Sequence, residues 1–188
     1  MGAVDEFGKL TSYSQRNDKV NLVGPGEWIL STVPKSEGGF VTVSVTDPTT
    51  SDQIIYRGSL MDFSASTPNS GIVAKEGLSF CSDGGKDRCQ GVVNGTVCLM
   101  ERGIYRFEKM GMLCEQAGGV ACIIYNQRPG MFTGGLAEPS EVKIPVVTIS
   151  QEDGLELLSN YLNITTPIQI QDQKGYAYLS GTRCVVAC

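Results

Sequence analysis

The chain has 188 residues, 41% of them hydrophobic and 19% charged, with a formal net charge of −5. That composition is globular and long enough to bury a core without disulfides or metals. The acidic balance argues against nucleic acid as a partner, and no apolar run approaches the ~20 residues of a membrane span.

The first elements are short. Val20-Asn21-Leu22-Val23 reads as a strand, Gly24-Pro25-Gly26 breaks it, and Trp28-Ile29-Leu30 resumes before Pro34. Lys35-Ser36-Glu37-Gly38-Gly39 has linker composition. Phe40 to Val45 alternates bulky and small residues, as a strand does. Asp47-Pro48-Thr49-Thr50 marks a turn. Ile54-Ile55-Tyr56 and Leu60-Met61-Asp62-Phe63 are two further short strands, followed by a polar loop over 64–72.

The centre has the clearest pattern. Thr96 to Glu101 is a strand ending at Arg102-Gly103. Phe107, Met110, Cys114 and Ala117 then recur on one helical face, and Gly118-Gly119 stop the helix. Val120 to Tyr125 is a buried strand. Strand, helix and strand in that order predict a parallel pair with a right-handed crossover. A glycine-bearing loop runs from Gln127 to Ser140, and Ile144 to Ile149 is another strand. Ser150-Gln151-Glu152-Asp153 reads as a helix cap with an acidic first turn. Leu155, Leu158 and Leu162 supply that helix's apolar face, and Ile168-Gln169-Ile170 is a strand.

Chemistry is constrained by what is missing. The chain contains no histidine, so Ser-His-Asp and Cys-His catalysis are impossible within it. No cofactor motif is present. Seven cysteines stand at 81, 89, 98, 114, 122, 184 and 188. Their gaps, apart from Cys184 and Cys188, are wider than paired zinc ligands show, so no metal site is assigned. Cys122 sits in an apolar strand and is expected to be an inert buried thiol. Glu152 and Asp153, with Glu141 upstream, lack a calcium-loop pattern and read as helix-dipole partners. Asn94-Gly95-Thr96 and Asn163-Ile164-Thr165 match the N-glycosylation acceptor.

The central unit resembles the protease-associated (PA) domain. The matching residues are Val97-Cys98-Leu99-Met100-Glu101-Arg102-Gly103, Phe107, Lys109, Ala117-Gly118-Gly119 and Ile123-Ile124-Tyr125-Asn126. Ile144-Pro145-Val146-Val147-Thr148-Ile149-Ser150 with Gly154 and Leu157 completes the pattern. The flanks resemble a subtilisin-like serine protease. Ser12 to Gln15, Val20 to Gly26 and Ile29 to Thr32 are similar to the segment before that family's nucleophile, with Gly24-Pro25-Gly26 in place of its Ala-Pro-Gly. Gly175 to Thr182 is similar to the approach to its Gly-Thr-Ser-Met-Ala motif. At the position of the nucleophilic serine this chain has Arg183. No catalytic residue carries over, and Ser180 is three residues out of register.

The resemblance implies a mixed α/β fold: a PA-like β-barrel or sandwich core with flanking helices, and partial subtilase strands at both ends. It divides the chain into 1–35, a PA domain over 36–172, and 173–188. It implies a non-catalytic module of a secreted, extracellular subtilase, mediating protein interaction or substrate access. Its partners would be a protein or peptide substrate or the host catalytic domain. The alternatives are a fragment of an active endopeptidase whose triad lies outside these residues, and a truncated product without activity.

The mixed, acidic N-terminus has no leader character, so a secreted form requires a longer precursor. Related secreted PA domains look similar at Cys98 and Cys114, which implies a bridge. Cys81 and Cys89 flank Ser82-Asp83-Gly84-Gly85, a turn that permits pairing; free thiols are the alternative for both pairs. Candidate binding residues are Arg102, Asn126, Arg128, Met131 and Phe132. For Arg102-Gly103 the competing reading is a turn with a solvated arginine, and for Asn126 a loop-stabilising role. Met131 and Phe132 either contact peptides from a mobile loop or fold back into the core.

Overall fold

The computed structural model describes residues 2–5, 7–33, 39–68, 70–81, 89, 91–103 and 105–179. Most of the Lys35–Gly39 linker, the turn at Ser82–Gly85, and Ser180, Arg183, Cys184 and Cys188 lie outside the described residues. In chain order the strands are β1 (Gly2–Val4), β2 (Val23–Pro25), β3 (Ile29–Thr32), β4 (Phe40–Thr46), β5 (Gln53–Leu60), β6 (Ile72–Ala74) and β7 (Leu78–Phe80). β8 (Val97–Glu101), helix α1 (Phe107–Gln116), β9 (Ala121–Tyr125), β10 (Val146–Ile149), helix α2 (Gln151–Asn160), β11 (Ile168–Asp172) and β12 (Tyr176–Leu179) follow.

The chain divides into two compact units, Met1–Gly39 with Lys174–Cys188, and Phe40–Gln173. In the first, β1 pairs parallel with β2, and β3 pairs antiparallel with β12. β2 therefore runs through Gly24 and Pro25, where the sequence suggested a break. Pro25 has no N–H to offer, and it sits at the strand's last position, where that loss is tolerated. Trp28 and Tyr178 meet edge to face, with centroids 5.9 Å apart.

The second unit is built on an eight-stranded sheet in the order β6-β11-β4-β5-β10-β9-β8-β7. Its edge strands, β6 and β7, are separated by only Lys75, Glu76 and Gly77. Four peptide steps span at most ~14 Å, so the sheet must curl until its edges nearly meet. β6 and β7 do not pair with each other, so the sheet is left open there. The expected α/β mixture is corrected in balance: the unit is mostly sheet, with two ten-residue helices against it.

β7, β8, β9 and β10 run parallel, while β4, β5, β6 and β11 pair antiparallel. The β8–α1–β9 unit satisfies the parallel expectation from strand–helix–strand order, and β9 and β10 pair parallel across a loop. Parallel strands are covered on both faces, and β9 and β10 are buried at every residue. One cluster gathers Val41, Val43, Leu99, Ile123, Ile149, Leu157 and Ile170. The other gathers Met100, Met110, Cys122, Ile124 and Phe132. Together they are the two sides of the sheet.

β5 carries the first predicted strand, Ile54-Ile55-Tyr56, on to Leu60, while Met61-Asp62-Phe63 of the second predicted strand lie beyond it. At Gly58 a Cβ would lie 2.7 Å from the Thr148 carbonyl oxygen, so the missing side chain lets β5 close on β10. Helix α2 faces inward differently from its leucine pattern. Leu157 is fully buried and Leu155 is 49% exposed. Gly154 lies on the buried face, and a Cβ on it would strike the Tyr125 side chain. α1 uses Gly111 similarly, with Val142 and Val146 3.0 and 3.1 Å from its absent Cβ.

Candidate functional site

Three of the parallel strands stop together. Glu101 and Ile149 both pair with Tyr125, so β8, β9 and β10 end at one level. The residues that follow them, Arg102, Asn126 and Ser150, therefore converge. Arg102 N–H donates to Tyr125 O at 2.9 Å, and Asn126 N–H donates to Ile149 O at 3.3 Å. Both helices begin at this end. Ser150 caps α2 by accepting from Asp153 N–H at 3.0 Å, and α1 begins at Phe107. The carboxyl ends of parallel strands are where open α/β sheets place their sites.

The turn reading of Arg102-Gly103 is half right. Gly103 has φ +115°, a conformation only glycine adopts freely. Arg102, however, is half-buried. Its guanidinium lies 4.6 Å from the Phe132 ring centroid and 6.0 Å from that of Phe107. One Nη donates to Asn126 Oδ1 at 3.2 Å. The two phenyl rings are themselves 5.7 Å apart, so the cation rests on an aromatic floor.

Asn126 is buried, and its Nδ2 donates to Gly130 O at 3.0 Å. Gly130 N–H donates in turn to the Glu152 carboxylate at 3.1 Å. Arg102, Asn126, Gly130 and Glu152 thus form a chain of hydrogen bonds that shapes the loop after β9. Of the two fates weighed for Phe132, the structure places it in the core at 5% exposure, with Thr148 Oγ1 donating to its carbonyl at 3.0 Å. Met131 is half-buried and Arg128 exposed. Arg128 and Met131 are therefore presented by this loop, while Arg102, Asn126 and Phe132 hold it.

Beside this end lies an open groove of about 850 Å³, floored by Tyr105, Phe107, Met112, Leu113 and Leu136. Lys109 Nζ sits 4.3 Å from the Tyr105 ring centroid on its rim. Glu108 anchors the opposite wall. It accepts from Ala137 N–H at 3.0 Å, Glu141 N–H at 2.9 Å and Ser140 Oγ. Partial desolvation pushes the Glu108 carboxyl up, but these hydrogen bonds outweigh it and hold it below the usual range. Nothing in the spacing of Tyr105, Glu108 and Leu136 announced this groove, because its two walls are 29 residues apart between Glu108 and Ala137.

Two disulfides brace the unit. Cys98 and Cys114 tie β8 to α1 with Cα atoms 6.0 Å apart, and Cys81 bonds Cys89 at 4.7 Å. Cys122 is free and fully buried, and burial pushes its thiol up to about 12. Among the described residues no three His, Cys, Asp or Glu side chains gather as a metal site, and no helix is long and apolar enough to cross a membrane.

The PA domain family model matches residues 57–157, more than half of the chain. The chain belongs to the PA domain family. The matched span contains the parallel strands, both helix starts and the whole Arg102–Glu152 chain of hydrogen bonds. Several proteases and aminopeptidases are similar to this chain over part of their length. Leucine aminopeptidase 2 of Trichophyton equinum is 31% identical over 65 residues, covering 35% of this chain and 13% of that protein. The "Probable lipoprotein aminopeptidase LpqL" of Mycobacterium tuberculosis is 31% identical over 104 residues, 52% of this chain and 20% of its own.

Among solved structures, the psychrophilic subtilisin-like protease Apa1 from the Antarctic psychrotroph Pseudoalteromonas sp. AS-11 aligns with TM-score 0.64 at 24% identity. That alignment covers 98% of this chain and 44% of Apa1. BSAP, a zinc aminopeptidase from Bacillus subtilis, aligns with TM-score 0.51 at 19% identity, over 79% of this chain and 34% of its own. The chain spans a fifth or less of these curated relatives and under half of these two structures.

Proposed function

We propose that this PA domain belongs to a secreted subtilisin-like serine endopeptidase, inserted between two catalytic-domain segments at 1–35 and 173–188. Its role is to bind protein or peptide and influence access to the host's active site. The observation that carries the subtilase reading is coverage. The fold likeness to Apa1 spans 98% of the chain and so includes the Met1–Gly39 and Lys174–Cys188 unit, whereas the likeness to BSAP spans 79%. The disulfides fit an oxidising, extracellular compartment. The contact surface is the carboxyl end of β8–β10, where Arg128 and Met131 are presented over the Arg102 clamp.

A second reading, a zinc aminopeptidase host, is favoured by the curated relatives, which are aminopeptidases. The two hosts differ in chemistry. A full-length polypeptide containing this chain would be treated with a serine-directed fluorophosphonate and, separately, with a metal chelator. The subtilase reading expects covalent labelling and survival of the chelator. Loss of activity to the chelator with no labelling would replace it by the second reading. For the binding role, Arg128→Ala with Met131→Ala is expected to weaken capture of an unfolded protein substrate while leaving cleavage of a small chromogenic peptide unchanged. Equal effects on both substrates would refute it.

A further inference from the structure

The parallel strands give the sheet a direction, and the two acceptor motifs lie at the end away from the candidate site. Asn94 stands immediately before β8. Its neighbour Gly95, at φ +86°, donates its N–H to Gly118 O beyond the end of α1 at 2.9 Å. Asn163 follows α2. Its N–H reaches Leu78 O, at the first residue of β7, at 3.4 Å, and Leu162 bridges the same Leu78. β7 and β8 run parallel with Leu78 beside Val97, so both asparagines flank the amino ends of adjacent strands. Both side chains are exposed.

We infer that Asn94 and Asn163 are N-glycosylation sites, so that the amino-terminal end of the parallel strands carries glycans and the carboxyl-terminal end stays bare for docking. The inference rests on the secretory reading above. The co-reactant is a lipid-diphosphate-linked oligosaccharide. The asparagine Nδ2 bonds to the anomeric carbon, the carbon–oxygen bond to the diphosphate breaks, and the lipid diphosphate leaves as the amide nitrogen loses one proton. Each sequon places an Asn on a surface turn, where a bulky polar chain costs no burial. Asn163 has φ +59°, a region that asparagine enters more readily than most residues.

The two sites differ in timing. Thr165 is exposed, so the Asn163 motif stays readable after folding. Thr96 is 1% exposed and its hydroxyl donates to Val93 O at 2.7 Å. The Asn94 motif must therefore be read before β8 is laid down. Occupancy is expected to be complete at Asn163 and partial at Asn94.

The test is secretion of the full chain behind a cleavable signal peptide from a eukaryotic host, with peptide mapping before and after enzymatic deglycosylation in ¹⁸O water. Deglycosylation should collapse the chain by up to two glycan-sized mass steps and leave labelled aspartate at 94 and 163. Thr165→Ala should remove one step without touching the backbone at Asn163, and Asn94→Gln should remove the partial one. The same digest reads the disulfides. A secreted chain with Cys98 bonded to Cys114 and no label at either asparagine would overturn the glycan inference and leave the secretory reading intact. A labelled chain with free thiols at those positions would show that both motifs can accept a glycan but would overturn the secretory reading, and the glycan inference with it.

Discussion

Replacing Arg102 by Met tests whether the clamp shapes the loop. The side chain makes one charge-assisted hydrogen bond to Asn126 and lies over the Phe132 ring at 4.6 Å. The first is worth about 1.5–3 kcal/mol and the second about 0.5–2 kcal/mol in favourable settings. Arg102 is half-exposed, so solvent screens both. Met preserves the apolar stem over Phe107 and Phe132. The expected net loss is about 1–2 kcal/mol, or a Tm lower by roughly 3–8 °C for a unit of this size. Thermal denaturation measures the first quantity. Hydrogen exchange measures the second consequence, faster exchange of the Gly130 amide, because Asn126 would lose the partner that orients it. An unchanged Tm with unchanged Gly130 protection would mean that Arg102 is a solvated turn residue and the clamp has no energetic content.

Three further outcomes follow from the packing and charge. Gly154→Ala gains about 1 kcal/mol of helix propensity but drives a methyl into Tyr125 near its backbone. A net loss of about 1–2 kcal/mol is expected from overpacking, read as a lower urea midpoint at constant m. Ala at both Cys98 and Cys114 removes a bridge of sequence separation 16. It should cost ~3 kcal/mol in the loop-entropy model, measured by chemical denaturation against the oxidised parent. The Glu108 carboxyl is held below its usual range, so its contribution is present above the unfolded pKa and is lost as pH falls through the folded one. Acidification through and below the ordinary carboxylate range should therefore loosen the 137–141 segment, and Glu108→Gln should flatten that part of the pH–stability profile.

Much of the fold was readable because its signals are local. The β8–α1–β9 order and the Ser150 cap are written in residues next to each other. The apolar continuity of Val120 to Tyr125 announced a strand buried on both faces. The errors have physical causes too. β6 and β7 are three residues each, too short to show a period. Leu60-Met61-Asp62-Phe63 has the apolar content of a strand, yet only Leu60 belongs to one, because β5 ends there after Gly58 has let it close on β10. The buried face of α2 was misread because Gly154 contributes no hydrophobicity to a leucine count, although it marks the tightest contact.

The sequence by itself determined the composition class, the absence of histidine chemistry, the order of the central elements and the residues that mark a PA domain. Periodicity and motif order depend only on neighbours in the chain. Tertiary structure decided which candidates act together. Arg102, Asn126, Gly130 and Glu152 are spread along 50 residues, and only the common level at which β8, β9 and β10 end brings them into one chain of hydrogen bonds. It also sent Phe132 inward and left Arg128 outside. It set Asn94 and Asn163 at the opposite end, since each helix runs back along the strand before it.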